Sequence, residues 1–144
     1  MQVMDYIARS GNRAPIISST QTIGALARYL KQERIGAVVV SDDGQTIDGI
    51  ISERDIAYSF ADRRGELHLL PISALMTRRV VTCQPDDSLL KVLHLMKEHH
   101  IRHVPVLDGN RLVGLLTLRD LVQYRLDRIE KQTQLAMLLH EEVE

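Results

Sequence analysis

The chain of 144 residues contains one seven-residue pattern twice, and this duplication restricts its possible folds more than any other feature. Residues 49–55 read GIISERD and residues 114–120 read GLLTLRD. Both copies consist of glycine, two aliphatic residues, a hydroxyl residue, any residue, arginine and aspartate. Self-similarity at a fixed spacing is typical of folds built from repeated units, so we expect two copies of one structural unit.

The similarity extends well upstream of this pattern. Residues 22–26 align with residues 88–92, and the later spacing is shorter because the second copy has one residue less in a loop. Thr22 and Ser88 are suitable N-cap residues for a helix. The spacing i, i+3, i+4, i+7 then predicts one apolar helix face in each copy. These faces are Ile23, Leu26, Ala27 and Leu30, and Leu89, Val92, Leu93 and Met96.

Short extended stretches and paired β-rich runs complete each copy. The extended stretches are residues 16–17 and 80–81, and the paired runs are 37–40 with 47–52 and 103–107 with 112–117. Polar turns separate the runs of each pair, and a helix follows. Pro105 indicates an edge position or a strand end, because proline cannot donate a ladder hydrogen bond.

One unit of this kind has too few elements to enclose a core. We therefore predict an α+β fold in which two β-α-β-β-α units pack with pseudo-twofold symmetry. The expected division is a first unit with its N-terminal segment at 1–60, a connecting segment at 61–73, a second unit at 74–127 and a C-terminal helical extension at 128–144. The end of the extension would be free to pack on a partner chain or back on the domain.

Composition argues against several classes of function and location. Lys and Arg total 18 and Asp and Glu total 19, so no broad charge attracts nucleic acid or a membrane surface. No stretch approaches the roughly 20 apolar residues of a membrane helix, and the N-terminus does not resemble a signal peptide. We expect a cytoplasmic protein, with the single cysteine, Cys83, buried and unreactive.

The repeated pattern carries polar chemistry at a strand end and a helix start. A carboxylate can accept both vicinal hydroxyls of a ribose, and a helix N-terminus suits a phosphate. Arg54 and Arg119 add guanidinium groups that bind phosphate in a bidentate manner. A hydroxyl three residues before an acidic residue is also a helix-capping pattern. Capping and ligand binding can coexist in the same residues.

The order of elements, the two motifs and the run IRHVPV at 101–106 resemble a tandem pair of cystathionine-β-synthase (CBS) domains, also called a Bateman module. The resemblance covers roughly residues 14–127. It implies a compact pseudo-twofold unit with two clefts between the copies, which commonly bind adenine nucleotides or related adenosyl ligands. It also implies a homodimer. Because no catalytic domain accompanies the pair, the protein it regulates would be a separate chain.

The same resemblance implies which residues contact a ligand. Asp55 and Asp120 would hold ribose hydroxyls, while Ser52 and Thr117 would contact the ribose or the first phosphate. The ligand-binding residues implied in this way are Ile35, Gly36, Ala37, Ser52, Arg54, Asp55, Ile101, Arg102, His103, Thr117, Arg119 and Asp120. Gly36 and Ala37 stand where the second copy has Arg102 and His103, so we expect unequal clefts. The Thr117/Asp120 cleft would be the first to bind nucleotide, and the Ser52/Asp55 cleft the second.

These features predict a non-enzymatic sensor of AMP, ADP or ATP, with no obligatory cofactor, that signals by rearrangement. One alternative is a ligand-independent scaffold, in which the motifs are only caps and the helix at 125–144 carries the association. A metal-dependent protein is a further alternative, suggested by His94, His99, His100 and His103. Their spacing completes no tetrahedral ligand set, so we predict no metal site. No nucleophile elbow or phosphate-cradling glycine loop indicates catalysis.

Overall fold

The structure, a computed structural model, describes residues 1–63 and 65–143. This part of the chain contains five helices and five strands, which confirms the predicted α+β class. Two short 3-10 turns, Leu67–Leu69 and Ile72–Ala74, follow the third helix. The elements are α1 (Val3–Ser10), β1 (Ile16–Ile17), α2 (Ile23–Glu33), β2 (Ala37–Val40), β3 (Gly49–Ser52), α3 (Glu53–Asp62), α4 (Leu89–His99), β4 (His103–Asp108), β5 (Arg111–Thr117) and α5 (Leu118–Val143).

Each unit contains an antiparallel hairpin that ends at the repeated motif. Strand β2 pairs with β3 so that Ala37 lies opposite Ser52, and β4 pairs with β5 so that His103 lies opposite Thr117. The hydroxyl residue of each motif therefore lies at the last pair of its hairpin, next to the start of a helix. In both units this register places the first residue of one strand, the hydroxyl residue of the motif and a helix N-terminus next to one another.

The two sheets differ because of one proline. In the first unit, β1 adds to β2 in parallel, and the N–H of Val39 donates to the carbonyl of Pro15 at 2.9 Å. The equivalent of Val39 is Pro105, which has no N–H to donate. The second sheet therefore has two strands, β4 and β5, and only an isolated parallel bridge between Cys83 and Val106 replaces the third strand.

Helices α2 and α4 begin where the sequence predicts. The Thr22 side chain accepts a hydrogen bond from the Ala25 N–H at 3.1 Å, and the Ser88 side chain accepts one from the Lys91 N–H at 3.1 Å. Six of the eight residues predicted for the apolar faces are buried in the core, whereas Ala27 and Leu93 are exposed on the helix surface. The buried residues are Ile23, Leu26, Leu30, Leu89, Val92 and Met96.

The structure has two hydrophobic cores, one in each unit. Each core also contains residues of the chain segment that leads into the other unit. Residues Leu67 and Ile72, which lead into the second unit, are buried in the core of the first unit. Val3 of α1, which leads into the first unit, is fully buried in the core of the second. The two units are therefore joined by reciprocal packing as well as by the connecting chain.

Candidate functional site

A cavity of about 270 Å³ opens where the two units meet, and residues of both units line it. This volume lies just below the roughly 300 to 1,000 Å³ range of small-molecule sites. We call this cavity the first cleft. Its lining residues are Gly36, Ala37, Ile50, Ser52, Glu53, Arg54, Asp55, Thr77, Arg79, Val80, Val81, Ile101, Arg102 and His103.

One wall of the first cleft is the junction between β3 and α3. Ser52 and Asp55 form a capping box, in which Asp55 Oδ2 accepts the Ser52 N–H at 2.8 Å and the Ser52 hydroxyl at 3.1 Å. The Asp55 N–H in turn donates to Ser52 Oγ at 3.4 Å. Both bonds that the carboxylate accepts use Oδ2, so Asp55 keeps the acceptor capacity of Oδ1 while it caps the helix.

Three arginines, from different parts of the chain, give the first cleft its positive charge. Arg54 belongs to the first motif, Arg79 lies near the start of the second unit, before α4, and Arg102 precedes β4. Arg54 also spans the two units, since its Nη1 donates to the His100 carbonyl oxygen at the C-terminal end of α4 at 3.0 Å. Glu53 and Asp55 contribute two negative charges, so the cleft is cationic overall.

His103 lies half-buried against the first motif. Burial lowers the pKa of His103 below its ordinary value, the charge of Glu53 opposes this effect, and Arg102 and Arg54 add to it. The imidazole is therefore neutral near neutral pH. Gly36 lies next to the side chains of Glu53 and His103. A Cβ at Gly36 would be 3.3 Å from Glu53 Oε1 and 3.6 Å from His103 Cε1.

The structure combines the predicted site residues differently from the pairing expected within each repeat. The sequence analysis placed Arg102 and His103 with Thr117 and Asp120. In the structure, both line the first cleft with Ser52 and Asp55. The reason is the packing of one unit against the other, which places the loop after α4 opposite the β3–α3 junction. The predicted residues found in the first cleft are Gly36, Ala37, Ser52, Arg54, Asp55, Ile101, Arg102 and His103.

The remaining predicted residues lie elsewhere. Ile35 packs against the core of the first unit, and Arg119 is exposed on α5. Thr117 and Asp120 cap each other at the start of α5: the Thr117 N–H donates to Asp120 Oδ2 at 3.0 Å, and the Asp120 N–H donates to Thr117 Oγ1 at 3.0 Å. The capping alternative weighed from the sequence is thus present in both motifs.

Sequence reasoning missed several lining residues of the first cleft. Thr77 forms a two-way backbone bridge with Ile50, with both N–H···O distances at 2.9 Å. The stretch that follows supplies Arg79, Val80 and Val81 to the lining. Extending the repeat alignment upstream, which pairs residues 11–15 with residues 77–81, would have drawn attention to it. Glu53 occupies the variable position of the motif, where no pattern marked it.

Three further features of the described residues bear on the alternatives. Residues 1–63 and 65–143 contain no group of three or more histidine, cysteine, aspartate or glutamate side chains arranged to hold a metal ion. Burial, with a contribution from Asp87, raises the pKa of the Cys83 thiol to about 12. In the same described ranges, every helix is too short or too polar to cross a bilayer.

Comparison with known proteins identifies the repeat. The family model described as the CBS domain matches residues 5–62 and again residues 72–127. The chain belongs to the CBS-domain family. This match confirms the resemblance drawn from the two motifs and accounts for most of the described chain as a tandem pair.

Curated relatives differ in how much of their own length the match covers. The CBS domain-containing protein YhcV of Bacillus subtilis is 32% identical over 127 residues, which cover 88% of this chain and 89% of YhcV. Arabinose 5-phosphate isomerase KdsD of Salmonella typhi is 29% identical over 117 residues, covering 81% of this chain but only 35% of KdsD. A CBS pair can thus form almost a whole protein or part of an enzyme.

Solved structures show the same fold. The CBS-domain protein ATU1752 of Agrobacterium tumefaciens matches with a TM-score of 0.81 at 32% identity, covering 86% of this chain and 92% of that one. PAE2072 of Pyrobaculum aerophilum, complexed with AMP, has a TM-score of 0.71 at 28% identity and coverages of 83% and 89%. The CBS domain pair of MJ0100, in complex with 5'-methylthioadenosine and S-adenosyl-L-methionine, matches with a TM-score of 0.72 at 28% identity. The match covers 86% of this chain and 98% of that one.

Proposed function

We propose that this CBS-domain pair is a regulatory module that binds an adenine nucleotide in the first cleft. The observation that carries the proposal is the convergence of Asp55 with three arginines supplied by both units. The free acceptor capacity of Asp55 suits the hydroxyls of a ribose, and guanidinium groups suit phosphate oxygens. Apolar side chains of the cleft, among them Ile50 and Val80, suit the faces of a purine ring.

The charge of the first cleft favours a phosphorylated ligand over other adenosyl compounds. Arg54, Arg79 and Arg102 outnumber Glu53 and Asp55. Such a site attracts the anionic AMP, ADP or ATP and disfavours the cationic sulfonium of S-adenosylmethionine. The structural neighbours that hold AMP or S-adenosylmethionine support adenosyl recognition by this fold, and the arginines of this chain support the nucleotide.

The position of the first cleft also supports a signalling role. A ligand there contacts both units, and the Arg54 side chain already links them through the His100 carbonyl. A phosphate that recruits Arg54 would change this link and so favour one arrangement of the units over another. We propose that a separate protein in the cytoplasm, where adenine nucleotides are made and used, detects the change. The module itself is non-catalytic and needs no obligatory cofactor.

Isothermal titration calorimetry with AMP, ADP, ATP and S-adenosylmethionine tests the proposal. We expect the nucleotides to bind and the Arg79→Ala/Arg102→Ala variant to lose at least tenfold in affinity, because each charged hydrogen bond contributes about 1.5 to 3 kcal/mol. Arg111→Ala, which removes an exposed arginine at the start of β5, is the matched control. Absence of binding at millimolar nucleotide, or equal affinity in both variants, would contradict it.

Exposed apolar side chains on the neighbouring helices α4 and α5 favour a homodimer. Val122, Leu126 and Ile129 of α5 are 48%, 53% and 47% exposed, and Leu90 and Leu93 of the adjacent α4 are also exposed. We propose that this surface packs against the same surface of a second copy, since a twofold dimer is self-complementary. Sedimentation should show a dimer for the wild type and a monomer for Leu126→Glu/Ile129→Glu. A wild-type monomer at high concentration would argue against it.

A further inference from the structure

Helix α5 extends well beyond the residues through which it packs on the second unit. Leu118, Leu121 and Tyr124, in its first turns, pack in or against the second core. From Arg125 to Glu141, every side chain is exposed. The part at 128–143 alone is about 24 Å long, at 1.5 Å per residue. Helices of about 15 residues are only marginally stable in water on their own, so we expect this part of α5 to pack against another chain.

One face of α5 has the spacing of a coiled coil. Its residues recur at alternating intervals of four and three, which is the repeat that keeps one face of a helix against a partner helix. We call this face the seam. The seam residues are Val122, Leu126, Ile129, Thr133, Ala136 and His140. The first three belong to the surface proposed above for the homodimer, so the seam continues that surface along the helix.

The middle of the seam is shaped to receive a second helix. Thr133 and Ala136 have short side chains, and they lie between the longer Ile129 and His140. An open groove that includes these four residues follows the seam. In a coiled coil, each seam side chain of one helix inserts into a hole between side chains of the other. Short side chains let the two helices approach closely, so a second seam fits this groove.

Charged residues beside the seam favour a parallel arrangement. Arg125 and Glu130 flank the seam on opposite sides and are five residues apart. In two parallel helices in register, a residue on one flank meets the residue five positions later on the opposite flank of the other helix. Arg125 of each copy would therefore face Glu130 of the other. In an antiparallel pair each flank meets itself, and the flank of Arg125 contains Gln132 and Leu139 but no acidic residue.

We propose that α5 pairs with α5 of a second copy through the seam, as a parallel coiled coil in register. A twofold axis along the two helices then places every seam residue opposite the same residue of the other copy. The pairing holds both modules at the same end of the coiled coil, with Arg125 and Glu130 forming two equivalent ion pairs. The inference rests on the homodimer proposed above, and it adds the orientation and the register of the helices.

Cysteine cross-linking of the full chain tests the orientation. Ile129→Cys and Ala136→Cys should each form an intermolecular disulfide under mild oxidation, because a parallel pair places each position opposite itself. Lys131→Cys, on the opposite face of the helix, is the matched control. We expect both seam variants to cross-link about fivefold faster than this control, measured on non-reducing gels. The native Cys83 is buried, so it does not compete.

An antiparallel pair brings at most one of the two seam positions opposite itself. Cross-linking of only one seam variant, of neither, or at the rate of Lys131→Cys would therefore overturn the proposal. Sedimentation of the same wild-type protein separates the two inferences. A dimer whose seam variants fail to cross-link would refute the coiled coil and leave the homodimer intact, whereas a monomer at high concentration would refute both.

Charge reversal tests the pairing beside the seam. Arg125→Glu should raise the dimer dissociation constant by about threefold or more, because two attractive contacts become repulsive. Arg125→Glu/Glu130→Arg should return it to within about twofold of the wild-type value. Lys131→Glu makes the same change of charge away from the seam and is the control. An equal effect of Arg125→Glu and Lys131→Glu, or no recovery in the double variant, would overturn the parallel pairing.

Discussion

Asp55 and Asp120 occupy equivalent positions in the two motifs, yet their neighbours differ. Both cap a helix through an oxygen that accepts the backbone N–H three residues earlier. Asp55 then faces a cavity with three arginines, whereas Asp120 does not line that cavity. At the scale of the residue, identity in sequence therefore determines the local backbone contact, and the distant neighbours determine what else the side chain can do.

Replacing Asp55 by Asn should reduce nucleotide binding while preserving the fold. The amide oxygen of Asn can still accept the Ser52 N–H, but it cannot offer two acceptor oxygens to a ribose. We expect a loss of tenfold or more in affinity, measured by calorimetry, with a cost in stability of about 1 kcal/mol or less. Asp108→Asn, at the exposed end of β4, is the control. Equal affinity in the two variants would mean that Asp55 only caps α3.

His103 should make the stability of the protein depend on pH. Because its pKa in the folded protein is below its ordinary value, the unfolded chain binds a proton first as the pH falls. The free energy of unfolding should therefore decrease as the pH falls below about 6.5, the ordinary histidine pKa. Urea denaturation between pH 8 and 5 measures this decrease, which His103→Asn should reduce. The exposed His94→Asn should retain it, and equal slopes for both variants would contradict the assignment.

At the scale of the element, single residues decide how far the regular structure extends. Thr22 and Ser88 start α2 and α4 through the same side-chain contact. Pro105 removes one donor from β4, so the second sheet keeps two strands where the first has three. The helices are equivalent in the two units because their caps are local. The sheets differ because one ladder bond between distant segments is missing.

Ser88→Ala should destabilise the protein by about 1 kcal/mol, since the Lys91 N–H loses its capping acceptor. Chemical denaturation monitored by circular dichroism measures the change as a lower midpoint with an unchanged slope. Ser88→Asn, which keeps a capping oxygen, should restore most of the stability. A midpoint for Ser88→Ala equal to that of the wild type would show that the cap contributes nothing in this context.

At the scale of the whole molecule, the two cores are built reciprocally. Val3 belongs to the second core, and Ile72 belongs to the first, although each precedes the other unit in sequence. The Arg54 hydrogen bond to His100 adds a polar link between the units. Each unit is therefore held to the chain segment that leads into the other unit.

Ile72→Ala should show this reciprocity. It removes a fully buried side chain and should cost about 2 to 5 kcal/mol. Hydrogen exchange should show the largest loss of protection in α2, β2 and β3, which precede Ile72 in sequence, and less in β4 and β5. Val3→Ala is the matched variant and should affect β4 and β5 most. Loss of protection confined to the unit that follows each residue would contradict the crossed packing.

The duplicated motif, the caps and the apolar spacing determined the α+β class, the two units and the helix starts, because these depend on contacts within a few residues. The same local pattern showed Ser52 with Asp55 and Thr117 with Asp120. Only the tertiary structure decided that Arg102 and His103 join the first motif and that α1 packs on the second unit. Those neighbours come from packing one unit on the other, and no spacing along the chain encodes which surfaces of two similar units meet.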